Sequence, residues 1–217
     1  MSNESLIQEL IRSGHLRTPR IIDALRKIDR KDFVIEEYKD KAYANHPLPI
    51  GFGQTISQPL TVAFMLEHLA PEPGERILEI GGGSGWQAAL LAHIVSSGNR
   101  HGRIICVERI AELKEMAERN ANRYGFVERK ILTVVAGDGA KGYPPGAPYG
   151  KIIAAAAAKR IPVAWKEQLY VGGRLVAPVE GSIKVIEKLS SSNFTEKNYE
   201  GFSFVPLVTE RLYGDGG

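Results

Sequence analysis

The sequence predicts an α/β fold: a central, mostly parallel seven-stranded sheet with helices on both faces and an antiparallel hairpin at its C-terminal end. Three observations carry this expectation. Five short, near-continuously apolar segments, at 76–80, 103–107, 131–136, 151–156 and 174–179, alternate with helical stretches. Strands that are apolar on successive residues are buried on both faces, and alternation with helices marks parallel crossovers. A glycine-rich turn follows the first of these strands. Two further segments, 184–189 and 202–208, flank a polar, serine-rich connection and read as the terminal hairpin.

Taken in order, residues 4–29 read as helical. Leu6, Leu10 and Ile11, then Ile21, Ile22, Leu25 and Ile28 after Pro19, recur at helical spacing. Segment 31–58 changes character: His46, Pro47, Pro49 and Gly51-Phe52-Gly53 make it an ordered loop, and a loop of that length in a compact domain is either functional or hides local structure. Residues 59–69 form an amphipathic helix, with Ser57 as a candidate N-cap and Pro59 in the first turn, where its missing N–H is harmless. Pro71-Glu72-Pro73-Gly74 closes it. Helical stretches at 86–95, 110–123 and 163–169 then connect the strands. The expected organisation is one domain over 1–217, divided into N-terminal helices and a covering loop (1–58), a binding core (59–180) and a hairpin with tail (181–217).

Composition narrows the class. With 43% hydrophobic and 24% charged residues the chain supports a buried core and is not of disordered type. The net charge is +3 and the basic residues form no long run, which argues against nucleic acid as a partner. Cys106, the single cysteine, lies in an apolar strand and reads as a core thiol. There is neither an apolar leader at the N-terminus nor a run of about 20 apolar residues. The expectation is a cytoplasmic protein, without a membrane partner, acting as a monomer. None of the five histidines, 15, 46, 68, 93 and 101, has metal-ligand spacing, so no metal is expected.

The chemistry-bearing motif is Glu79-Ile80-Gly81-Gly82-Gly83-Ser84-Gly85-Trp86. Glycines let the backbone turn tightly and approach a ligand, and open α/β sheets bind ligands at the carboxyl ends of their strands. A dinucleotide G-x-G-x-x-G read from Gly81 would put its third glycine at Trp86, where a bulky side chain opposes helix packing. The spacing present is G-x-G-x-G behind an acidic residue. In this it resembles class I methyltransferases, which use the Rossmann-like form of the fold to hold S-adenosyl-L-methionine. Glu108, at the end of the second core strand, is placed to accept ribose hydroxyls. Gly137-Asp138-Gly139 ends the third and offers a carboxylate and free backbone to an adenine edge. The candidate cofactor contacts are Glu79, Gly81, Gly83, Ser84, Gly85, Glu108, Arg109, Asp138 and Gly139. Each has a plainer reading: glycine turns are common, Glu108 ends a strand, and Asp-Gly is a frequent turn pair.

Upstream, Ala42-Tyr43, Pro47-Leu48-Pro49-Ile50-Gly51 and above all Gln54-Thr55-Ile56-Ser57-Gln58-Pro59 resemble the signature of protein-L-isoaspartate O-methyltransferases. Ala147-Pro148-Tyr149, Ile161-Pro162, Gly172-Gly173-Arg174-Leu175-Val176-Ala177-Pro178-Val179 and Phe204-Val205-Pro206-Leu207 extend the likeness over about residues 19–208. The resemblance implies repair of aged proteins: methyl transfer from S-adenosyl-L-methionine to the carboxylate of an L-isoaspartyl residue, leaving S-adenosyl-L-homocysteine. It further implies that Ser57 belongs to the active site and that the surrounding loop covers the cofactor and grips the peptide. Candidate substrate contacts are Gln54, Thr55, Ile56, Ser57, Gln58 and Pro59, with Ala156, and with His46 as an exposed loop residue. A carboxylate with a pKa of about 4 is already an anion at pH 7, so the reaction calls for alignment and exclusion of water rather than a general base.

Four departures stand against the family pattern: Gly82 and Ala155 where Thr is usual, Gly150 where Asp is usual, and no glutamine within 181–188. A carboxylate and a hydroxyl lost near the fourth core strand are expected to thin the polar groups where cofactor and substrate meet. Two alternatives therefore stay open. One is a relative that methylates a different aspartyl or peptide carboxylate, and the other is a catalytically silent relative that keeps the fold. An RNA methyltransferase is disfavoured by the Gln54–Pro59 string.

Overall fold

In the computed structural model the described residues are 1–98 and 100–209, and the tail expected beyond them lies outside that range. Helix α1, Asn3–Arg12, starts at Ser2, whose hydroxyl accepts from the Ser5 amide in a reciprocal capping box. Helix α2, Pro19–Lys27, begins on proline, whose fixed φ suits a first turn. Two 3-10 turns, Arg30–Phe33 and Glu36–Lys41, lead into a two-stranded hairpin of β1, Leu48–Gly51, and β2, Gln54–Ile56. The segment read as loop thus carries local structure. Helix α3, Pro59–Leu69, follows; its N-cap is Gln58 with no side-chain cap bond, so Ser57 does not cap it.

The main sheet contains β3 (Arg76–Ile80), β4 (Arg103–Glu108), β5 (Leu132–Ala136), β6 (Tyr149–Ala154), β7 (Leu169–Val179), β8 (Ser182–Lys188) and β9 (Phe194–Glu200). Their spatial order is β5-β4-β3-β6-β7-β8-β9. The first five are parallel, and β7, β8 and β9 form an antiparallel meander. The sheet has seven strands, as expected, but its last strand is not 202–208. β9 uses the Phe194–Glu200 stretch read as polar connection, most of it solvent-exposed. An edge strand with charged side chains carries no apolar periodicity and resists further pairing. Residues 202–208 instead run back toward the end of β6, where Ala157 donates its amide to Val205 and accepts from Leu207.

Helices α1 to α3, with α4 (Trp86–Val95) and α5 (Ala111–Asn122), pack on the sheet face carrying Ile77, Ile104, Cys106, Ile153, Val176 and Ile183. The other face, with Leu78, Ile80, Val107, Ile152, Leu175 and Ile186, packs on short α6 (Val163–Glu167) through the buried Trp165. Among the described residues no helix is long and apolar enough to cross a membrane.

Candidate active site

Strand order reverses between β3, which connects outward to β4, and β6, which lies on its other side. A crevice opens at the carboxyl ends of strands at such a point. Here it is a cleft enclosing about 860 Å³, including the part open to solvent. Its floor is the end of β3 and the turn after it, with the ends of β4 and β6 on either side. The hairpin residues Gln54, Thr55, Ile56 and Ser57 form one wall, and Val205, Pro206, Leu207 and Val208 another.

Most of the nominated residues converge there. Glu79, Gly81, Gly83, Ser84, Glu108, Arg109, Gly139 and Ala156 all line the cleft with Gln54, Thr55, Ile56 and Ser57. Gly85, Asp138, His46, Gln58 and Pro59 do not. Gly85 faces α5: at φ +86°, a Cβ would lie 2.8 Å from the Ala117 Cα, so glycine here serves helix packing. Asp138 is the N-cap of a 3-10 turn and accepts from the Ala140 amide. His46 is exposed, with Nδ1 2.9 Å from the Pro47 carbonyl. Gln58 opens α3 and Pro59 is buried in its first turn.

Two carboxylates sit in contrasting settings. Glu108 is pinned by backbone: one oxygen accepts from the Gly83 amide and the other from Ile110, each at 2.9 Å. Each oxygen keeps a lone pair for a hydroxyl donor. Glu79 is fully buried; Gln87 donates to one oxygen at 3.0 Å while the other, Oε2, has no partner. Burial pushes its carboxyl up to about 8, so it is largely protonated at neutral pH. An orphaned acceptor in a buried wall of the cleft is a place for a cationic or hydrogen-bonding group.

The apolar lining, which includes Val62, Ile80, Val107, Ile110, Leu113 and Leu207, was not foreseen as site. These residues read as core because helical and strand periodicity cannot separate a side chain facing protein from one facing a cleft. The 205–208 wall was missed because it was assigned to a strand.

The departures find different explanations. Gly82 is buried, and a Cβ on it would lie 2.7 Å from the Cys106 Sγ. Gly150 belongs to the amino end of β6, and a Cβ there would approach the Arg76 carbonyl and Glu75 Oε1 at 3.8 Å. At about 3.3 Å per residue, that is roughly 16 Å along the strand from Ala155 at the cleft. The expectation that Gly150 thins the polar groups of the site is therefore wrong. No residue of 181–188 lines the cleft either, whereas Gly82 and Ala155 do.

The family model described as "Protein-L-isoaspartate(D-aspartate) O-methyltransferase (PCMT)" matches residues 1–212. The chain belongs to the PCMT family. Among curated PCMT relatives, the protein-L-isoaspartate O-methyltransferase of Staphylothermus marinus is 45% identical, covering 97% of this chain and 95% of that protein. That of Methanopyrus kandleri is 41% identical, covering 96% and 92%. Of solved PCMT structures, one from Plasmodium falciparum in complex with S-adenosyl-L-homocysteine superposes with a TM-score of 0.86, covering 96% of this chain and 99% of that one. At 22% identity it speaks to the fold. A second, titled protein-L-isoaspartate O-methyltransferase, is 27% identical with a TM-score of 0.83; this chain covers 65% of it.

Proposed function

We propose that this chain transfers a methyl group from S-adenosyl-L-methionine to the free carboxylate of L-isoaspartyl residues in damaged proteins or peptides. The observation that carries the reading is the meeting, in one cleft, of the glycine turn with its orphaned Glu79 oxygen and the hairpin that bears Ser57. Family membership over nearly the whole chain supports it. On this reading residues 1–58 supply the cover, 59–180 the core and 181–209 the meander and closing strap of one domain.

The residues present fit the cofactor. The turn at Gly81, with φ +85°, presents backbone rather than side chain to the cleft. Glu108, fixed by two amides, receives ribose hydroxyls, while Ile110, Leu113 and Val107 supply an apolar slot for a base. Glu79 takes the positive end of the methionine moiety. When bound, the cofactor supplies an electrophilic methyl on a sulfonium.

What the chain must do is orient and dry an anion that needs no deprotonation. Ser57 does not cap α3, and its hydroxyl has no partner among the described residues, so it is available to donate to a substrate carboxylate. Gln54, Thr55 and Ile56 extend the same wall toward the peptide. A cytoplasmic setting agrees with this use. The alternative of a different carboxylate substrate loses half of its motive once Gly150 and 181–188 fall outside the cleft, while Gly82 and Ala155 stay in its lining.

The test is Ser57→Ala. Turnover on an isoaspartyl peptide should fall at least tenfold with cofactor affinity changed by less than threefold. Unchanged turnover would remove Ser57 from the reaction.

A further inference from the structure

The cation nearest to organising this site is not in the cleft at all. Arg30 is fully buried in the first 3-10 turn, and none of the ion pairs among the described residues includes it. Its guanidinium instead donates to four main-chain carbonyls. Nη1 reaches Ala42 at 2.6 Å and Ala44 at 3.4 Å; Nη2 reaches His46 and Ser57, each at 3.1 Å. Nε has no partner. The guanidinium carbon lies 5.4 Å from the ring centroid of Trp86, the first residue of α4 after the glycine turn and itself part of the cleft.

The acids flanking Arg30 are held elsewhere. Asp29 accepts from the Tyr43 hydroxyl at 2.9 Å, and Asp32 accepts from the Tyr124 hydroxyl at 2.6 Å. Burial pushes Arg30 down to about 10, which still leaves it charged at neutral pH. A buried charge without a counter-ion is unfavourable and gives stability no advantage over an apolar side chain of the same volume. What the planar fork does provide is geometry, since two of its nitrogens fix several acceptors in one plane.

From this we infer that Arg30 is the positioning residue of the methyl-transfer site: it registers the Ser57 peptide, and with it the substrate wall, against α4, the helix that follows the glycine turn. The inference rests on the proposed function above. Ser57 has no cap bond and no other hydrogen bond among the described residues, so what fixes the reach of its hydroxyl is the placement of its backbone. The bond holding that backbone comes from Arg30. The same guanidinium anchors 42–46 before the hairpin and stacks on Trp86 beyond the glycine turn. One side chain thereby ties the hairpin wall and the start of α4 to a common reference, which matters because a misplacement of about 1 Å at a reacting centre can lower a rate on the order of 100-fold.

The experiment compares Arg30→Lys and Arg30→Gln with the parent, at a temperature where circular dichroism shows each fully folded. Lysine keeps the charge but not the fork, and glutamine keeps two N–H donors without the charge. The expected result is a kcat on an isoaspartyl peptide at least tenfold lower in both, with the cofactor Kd within threefold of the parent. Amide exchange over 54–57 should accelerate at least tenfold while the sheet amides hold. A variant with a lowered Tm but parental kcat and parental exchange over 54–57 would overturn the inference, because a purely structural role predicts that pattern. Failure of the parent to methylate the peptide would instead defeat the functional reading. The exchange measurement then decides on its own, and parental protection of 54–57 in either variant would overturn the placement of Ser57 by Arg30.

Discussion

The thiol of Cys106 occupies the space that a side chain at Gly82 would need: a Cβ there would lie 2.7 Å from Sγ, closer than such atoms approach. Both residues are buried, Cys106 in β4 and Gly82 in the turn after β3. Gly82 thus makes room for a bulkier neighbour on the adjacent strand while lining the cleft with its backbone.

Gly82→Thr should therefore destabilise the protein by about 1–3 kcal/mol, the usual range for overpacking a core. Gly82→Thr combined with Cys106→Ala should recover at least half of that loss. Urea unfolding of the four members of the cycle measures the coupling. Strict additivity would show that the two sites do not compete for the same space.

With Glu79 in its proposed role, cofactor binding should depend on pH. Its carboxyl is pushed up to about 8 by burial, above the ordinary 4.5, so it is largely protonated at neutral pH. A cationic cofactor favours the carboxylate, so affinity should rise as pH rises toward 8, by up to about tenfold per unit, and level off above it. Binding at pH 7 should release a proton, seen in calorimetry as a heat that varies with buffer. Cys106, driven well above its usual value by the same burial, stays neutral throughout. Glu79→Gln should abolish the slope.

The same shift has a stability consequence. A carboxyl whose folded pKa exceeds its unfolded value opposes folding once it ionises. Unliganded stability should fall as pH rises from about 4.5 to about 8, and Glu79→Gln should flatten that part of the profile. A stability that rises through this window in the parent and is unchanged in the variant would contradict the burial argument.

Gly85 and Gly150 separate packing from chemistry. Gly85→Ala forces a Cβ against Ala117 at a positive φ and should lower Tm by roughly 5–10 °C, on about 2–4 °C per kcal/mol for a chain of this size. Cofactor affinity in the folded protein should change by less than threefold. Gly150→Asp, at the far end of β6, should leave kcat/KM within twofold. Its effect should be confined to Glu75, whose half-buried carboxyl is already raised by burial.

How much of this was legible in the sequence depends on what periodicity can express. The five parallel strands and the glycine turn were readable because burial on both faces leaves unbroken apolar runs bounded by turn residues. β9 was not, since an exposed edge strand such as Phe194–Glu200 has the composition of a loop. Gln54 to Ser57 were readable as site only through family likeness, while Asp138 and Gly85 were nominated by spacing, and the structure gives them a turn cap and a helix contact. Arg30 gave no signal at all. A lone arginine between Asp29 and Lys31 looks solvated, and only the fold reveals the four carbonyls gathered round it.

The most direct test of the central claim is methyl transfer from labelled S-adenosyl-L-methionine to a pair of peptides that differ only in L-isoaspartate or normal L-aspartate at one position. The account predicts a base-labile methyl ester on the isoaspartyl peptide alone, with label lost as the ester closes to a succinimide. Equal labelling of both peptides, or none on either while the cofactor still binds, would contradict it.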